Sequence, residues 1–168
     1  MLSIIIIVFS FILDGILSNF IAFDTFNLSL FTPSLTLVSL VTISILFYHQ
    51  NNKYLLICFI TGIVYDLFYT NLLFFNGLLF LLIGALTLLI EKYLEIDFIK
   101  ILFLVAISII IYESSSALII LIYNLVPVTL NRVIYKISHS LLLNIIYGFL
   151  LYLIIYLIPK KFKRININ

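Results

Sequence analysis

The sequence predicts an all-α protein: a polytopic integral membrane bundle of about six transmembrane helices forming a single domain. Three observations carry this. Of the 168 residues, 65% are hydrophobic and 10% charged, where a water-soluble domain carries about a quarter charged residues. The apolar residues fall into about six blocks, most of them near the ~20 residues that cross a hydrocarbon core. The polar connectors between blocks are short, and mean hydropathy is +1.34. This leaves no stretch for a soluble catalytic or regulatory domain. Candidate functions narrow to transport, intramembrane chemistry, or holding a partner at the membrane.

The first span is expected over about 2–23. It lacks a basic leader and a small-residue cleavage site and carries Asp14 in its apolar stretch, so it reads as a retained helix. The second is expected over about 28–48 with Pro33 in its first turns, where a missing N–H costs little. The polar run from His49 to Lys53 closes it. The third (54–69) and fourth (72–90) form a helical hairpin around Thr70-Asn71, being together too long for one crossing. The segment from Glu91 to Lys100 alternates charged and bulky apolar residues, as an interfacial amphipathic piece would. The fifth span, about 101–125, stops before Pro127; Asn131, Arg132 and Lys136 mark a loop; and the sixth, about 137–158, ends at Pro159 ahead of a basic tail, 159–168.

Lys and Arg distribution sets the expected orientation. With both termini in the cytoplasm, seven basic residues lie inside and two, Arg132 and Lys136, outside. The chain has eleven tyrosines and no tryptophan, so an aromatic interfacial belt falls to Tyr48, Tyr54, Tyr93, Tyr123 and Tyr135 near the expected helix ends. The lone Cys58 excludes an internal disulfide and a cysteine-cluster metal site. A net charge of +2 is too small to point to nucleic acid.

Three acids lie inside spans, each costing about 2.5–3.5 kcal/mol at mid-membrane on insertion scales. Asp14 shares a helix face with Ser3, Ser10 and Ser18, suited to packing on another helix or lining a polar pocket. Asp66 follows Gly62 by one turn, and its expected role is structural, at the hairpin. Glu113 is the deepest, beside a run of three serines; His139 and Asn144 in the sixth span offer donors, and a polar clamp from Glu113 to either is expected. Gly77 and Gly84 present a flat face for close helix approach. These nine positions, Pro33 included, are the candidate polar or close-packing residues. No phosphate loop, zinc motif, nucleophile elbow or paired-acid motif is present, so neither an enzyme nor a cofactor is expected.

The stretch Phe31-Thr32-Pro33-Ser34-Leu35-Thr36-Leu37, the run Thr61-Gly62-Ile63-Val64-Tyr65-Asp66-Leu67 and then Asn76-Gly77-Leu78 resemble the rod shape-determining protein MreD family. The resemblance implies a non-enzymatic scaffold of the bacterial cell-elongation machinery. It implies an MreC-type membrane partner and a complex with MreB, a SEDS glycosyltransferase and a penicillin-binding transpeptidase. The implied location is the inner membrane, and the implied fold resembles the S component of energy-coupling vitamin transporters. Two rivals remain open. An S component would bind a small vitamin in a polar pocket near the outer face, and a proton-coupled carrier would titrate Glu113.

Overall fold

The computed structural model describes residues 2–21, 33–47, 50–70, 72, 74–93, 97–123 and 129–157. Six α-helices follow in order: α1 Leu2–Ile21, α2 Leu35–Ile43, α3 Asn51–Tyr69, α4 Phe75–Glu91, α5 Asp97–Ile122 and α6 Leu130–Leu157; α2 runs on into a 3₁₀ segment, Ser44–Phe47. No strand occurs among the described residues.

The short helix α2 is the centre of the bundle. Every residue from Leu35 to Ser44 is buried, and α2 packs on α1, α4, α5 and α6. Leu37, Val38, Leu40, Val41 and Ile43 build the core with Ile6 and Ile7 of α1, Phe80 and Ile83 of α4, Leu104, Val105 and Ile109 of α5, and Leu151 of α6. A helix buried on every side needs no amphipathic pattern, and this one is apolar with small hydroxyl residues interleaved. Those hydroxyls bond back into their own helix: Ser39 Oγ donates to the Thr36 carbonyl (2.7 Å) and Thr42 Oγ1 to that of Val38 (3.0 Å).

Several helix ends differ from the sequence expectation. Helix α2 begins at Leu35, not near 28, and Pro33 precedes the helix instead of sitting in its first turns. Proline restrains the residue before it from helical geometry, and side chains from other helices stand ready to receive the helix end just after it. The polar run expected to close the second span contributes Asn51, Asn52 and Lys53 to the first turn of α3; His49 and Tyr48 lie outside the described residues. The expected interfacial segment is divided, with Glu91 ending α4 and Asp97 opening α5; residues 94–96 lie outside the described residues. The expected loop of Asn131, Arg132 and Lys136 is helical, in the first turns of α6. The basic tail also lies outside the described residues.

Helices α3 and α4 form an antiparallel hairpin held by small residues. A Cβ built on Gly62 would lie 2.7 Å from the Gly77 Cα and closer still to the Asn76 carbonyl oxygen, both backbone atoms that cannot swing away. One Cβ on Gly84 would reach Cys58 Sγ at 2.8 Å. Gly62 and Gly84 thus allow the two backbones to approach closely, the ordinary use of small residues between apolar helices.

The surface of the bundle is apolar and its interior is partly polar. Ile4, Ile12, Leu67, Leu82, Leu118, Ile122, Leu142 and Leu157 are exposed, whereas Ser10, Asp14, Thr36, Asp66, Asn76, Glu113, Ser140 and Asn144 are buried. Such an inside-out distribution would be an aggregation hazard in water and is the arrangement a lipid solvent selects, since polar groups there turn inward.

Candidate functional site

The polar interior is organised around two helix N-termini and one ion pair. An α-helix leaves its first N–H groups without intrahelical partners, and in a low-dielectric interior each must find an acceptor from the protein. Helix α2 and its 3₁₀ extension together span about 20 Å, less than the ~30 Å hydrocarbon thickness, and Ser34, Leu35 and Thr36 at its start are buried.

Asp14 of α1 answers most of that demand. Its carboxylate accepts from the Leu35 N–H (2.7 Å), from the Thr36 N–H (2.8 Å) and from the Thr36 hydroxyl. Asn144 of α6 supplies the next acceptor: its Oδ1 takes the Ser34 N–H at 3.0 Å. The Asn144 amide nitrogen in turn donates to the Ser140 carbonyl (2.8 Å) and Oγ (3.0 Å), which fixes its orientation. Negative charge at a helix N-terminus is favoured by the aligned peptide dipoles as well as by the hydrogen bonds. The clamp therefore joins three helices at one point. Ser10, one turn before Asp14, extends the polar face: its Oγ donates to the Ile6 carbonyl (2.8 Å) and lies 2.7 Å from the Tyr147 hydroxyl of α6.

Asp66 makes the second clamp, at the start of α4. One carboxylate oxygen accepts from the Thr70 hydroxyl (2.8 Å), the Asn76 N–H (3.1 Å) and the Asn76 side-chain amide (2.8 Å); the other accepts from the Gly77 N–H (3.2 Å). Phe74, just before α4, holds φ 68°, the left-handed region, so the chain turns sharply enough to aim these amides at Asp66. The closeness that Gly62 permits brings the two helices within reach of this single carboxylate.

Glu113 is 2% exposed and forms an ion pair with Lys136 Nζ at 2.9 Å, joining α5 to α6. Lys136 is a partner of Glu113 that the sequence expectation, a clamp to His139 or Asn144, does not include. The sequence expects Lys136 in a loop, but α6 begins early enough to carry it beside the acid. The Asn144 amide bonds Ser34 and Ser140. His139 is half-buried; its Nδ1 donates to the Tyr135 carbonyl (2.9 Å), with the two rings 4.1 Å apart.

The tyrosines divide between interior and surface. Tyr93, Tyr123 and Tyr135 are exposed. Tyr54, expected in an interfacial belt, is fully buried and donates to the Leu40 carbonyl at 3.1 Å. It belongs to the core because α3 starts at Asn51 and carries Tyr54 inward against α2 and the 3₁₀ segment.

Sequence reasoning missed Thr36, Asn76 and Lys136 as partners of the three acids. A general signal existed for the first two: a buried helix start inside a membrane must borrow acceptors, so an acid on one span points to a helix start on another. No group of three or more His, Cys, Asp or Glu side chains converges among the described residues.

These features define a class: an all-helical membrane protein with a lipid-facing apolar exterior and buried polar joints. Helices α5, over Phe98–Ile122, and α6, over Leu130–Leu157, are long and apolar enough to cross a membrane, and Leu2–Ser18, Leu35–Phe47 and Phe75–Glu91 are shorter apolar helices. The family model for the rod shape-determining protein MreD matches residues 1–162, and the chain belongs to that family. Its role is accordingly that of a membrane protein that determines rod shape. Comparison with curated proteins and with solved structures finds no match.

Proposed function

We propose that this chain is a non-enzymatic scaffold of the cell-elongation machinery, acting by holding an MreC-type partner in the membrane. Through that partner it would stand beside MreB, a SEDS glycosyltransferase and a penicillin-binding transpeptidase, and so serve peptidoglycan synthesis. The family match over residues 1–162 carries this reading. The interior chemistry supports it. Asp14 and Asp66 are engaged in capping backbone amides and Glu113 in an ion pair, so each acid joins helices together, the task of a rigid body that must present a constant surface. The proposed topology is six crossings in the inner membrane with both termini cytoplasmic, from the excess of basic residues on that side.

The test is affinity purification of the tagged full chain from native membranes, with mass spectrometry of what accompanies it. An MreC-type protein is the expected partner. Recovery of a pair of transporter ATPases in its place would overturn the scaffold reading and favour a substrate-binding S component. Reporter fusions at the C-terminus check topology, with cytoplasmic activity expected.

A further inference from the structure

Helices α1 and α3 meet through aromatic side chains near the C-terminal end of α3. There Phe11 packs on Tyr69, with ring centroids 4.8 Å apart, and on Phe68 at 5.6 Å. The Tyr69 hydroxyl donates to the Phe11 carbonyl at 2.7 Å, and Gly15 leaves room for that hydroxyl. Toward their N-termini the two helices separate around a cavity of about 290 Å³, bordered by Ile4, Val8 and Phe11 on α1 and by Ile57, Ile60 and Val64 on α3. Its lining is almost wholly apolar. Ile4, Val8 and Ile60, each at least half exposed, form its rim on the lipid-facing side.

Shape and charge together select the occupant. From Ile4 to Phe11 the groove runs about two helical turns, roughly 10 Å, and the aromatic contacts close its far end. A partner helix, itself 10–12 Å across and long enough to span, requires a seam open along its whole length. A blind groove suits a flexible chain end. At the open end, Lys53 stands one turn before Ile57 on the same face of α3, exposed, with Asn51 and Asn52 beside it in the first turn. The positive end of the α3 dipole points the same way. An apolar slot with a cation and hydrogen-bonding amides at its mouth complements an amphiphile with a negative head. We infer that the α1–α3 groove binds one acyl chain of an anionic phospholipid whose phosphate is met by Lys53.

The experiment uses the full chain in nanodiscs of equal phosphatidylglycerol and phosphatidylcholine, released into native mass spectrometry. The expected spectrum shows one retained phospholipid, with phosphatidylglycerol about fivefold over phosphatidylcholine, the preference one basic residue gives near an anionic headgroup. Lys53→Gln should bring the two lipids to equal retention. Val8→Trp, which fills the groove from its exposed rim, should lower retention of both at least about fivefold, while Leu67→Trp, at another exposed position on α3, should leave retention as in the native chain. Equal retention of both lipids by the native chain would overturn the assignment, as would undiminished retention in Val8→Trp. A free fatty acid in place of a phospholipid, or a polypeptide displaced by Val8→Trp, would overturn it equally.

Discussion

The two carboxylate clamps do the same chemistry across very different distances. Asp66 reaches the start of α4 from ten residues away across one tight hairpin. Asp14 reaches the start of α2 from another helix, and Asn144 completes that end from 110 residues further along the chain. The local clamp sets the geometry of a hairpin that small residues already hold together. The distant clamp fixes the central helix to α1 and α6, so the whole bundle depends on it. A helix start that is buried on all sides has only tertiary partners to turn to; one beside a turn has neighbours in sequence.

The contrast can be tested from its strongest side. Asp14→Ala orphans two backbone N–H groups and a hydroxyl in a fully buried place, at about 1–3 kcal/mol for each unsatisfied group. We expect a loss of about 4 kcal/mol, read as a collapse in thermal stability of the detergent-purified protein and in membrane accumulation. Asp66→Ala orphans a comparable set of donors, but beside a turn whose Thr70 is only part-buried. A loss of about 2–3 kcal/mol is expected there, and a larger loss than for Asp14→Ala would reverse the ranking of the two clamps. Gly62→Ala should cost about 2 kcal/mol through collision with the Asn76 and Gly77 backbone. The matching change at Gly148, whose nearest neighbours are the side chains of Val105 and Val38 at 3.2 and 3.3 Å, should cost under about 1 kcal/mol. Equal melting shifts for the two glycines would remove the argument from backbone contact.

Asn144→Ala should cost about 1–2 kcal/mol by orphaning the Ser34 N–H. Combined with Asp14→Ala, its effect should shrink, because a helix start already loosened has less to lose; additive losses in the double-mutant cycle would show that the two acceptors act independently. Phe74→Gly should act in the opposite direction. The native residue holds φ 68°, a conformation that costs a residue with a Cβ about 1–2 kcal/mol and glycine almost nothing. A gain of about 1 kcal/mol is expected, read as a higher melting temperature.

The same division explains what the sequence made legible. The hairpin of α3 and α4 could be read because Gly62, Asp66 and Thr70 lie within two turns of one another, so spacing alone placed them together. The serine-lined face around Asp14 was also legible as a face, but its target was not: nothing in apolar spacing says which helix start an acid will meet. Glu113 was recognised as an acid needing a partner, yet Lys136 was assigned to a loop because one lysine at the edge of an apolar block looks the same whether it ends a helix or rides on it. Tyr54 misled for a similar reason, since a tyrosine near an expected span end fits an interfacial belt until the helix is seen to start earlier. The beginning of α2 was the hardest to place. Its length is decided less by its own residues than by Pro33 and by acceptors contributed from two other helices.

The reach of Asn144 also sets an order of events at the ribosome. Ser34 leaves the tunnel 110 residues ahead of the side chain that satisfies its amide, a lag of about 5–20 s at ordinary rates of synthesis. During that interval the central helix can hold its place against α1 through Asp14 alone, and its final seat is available only when α6 arrives. A chain broken off before α6 would therefore leave its innermost helix unfinished, which makes the last helix the step that commits the bundle.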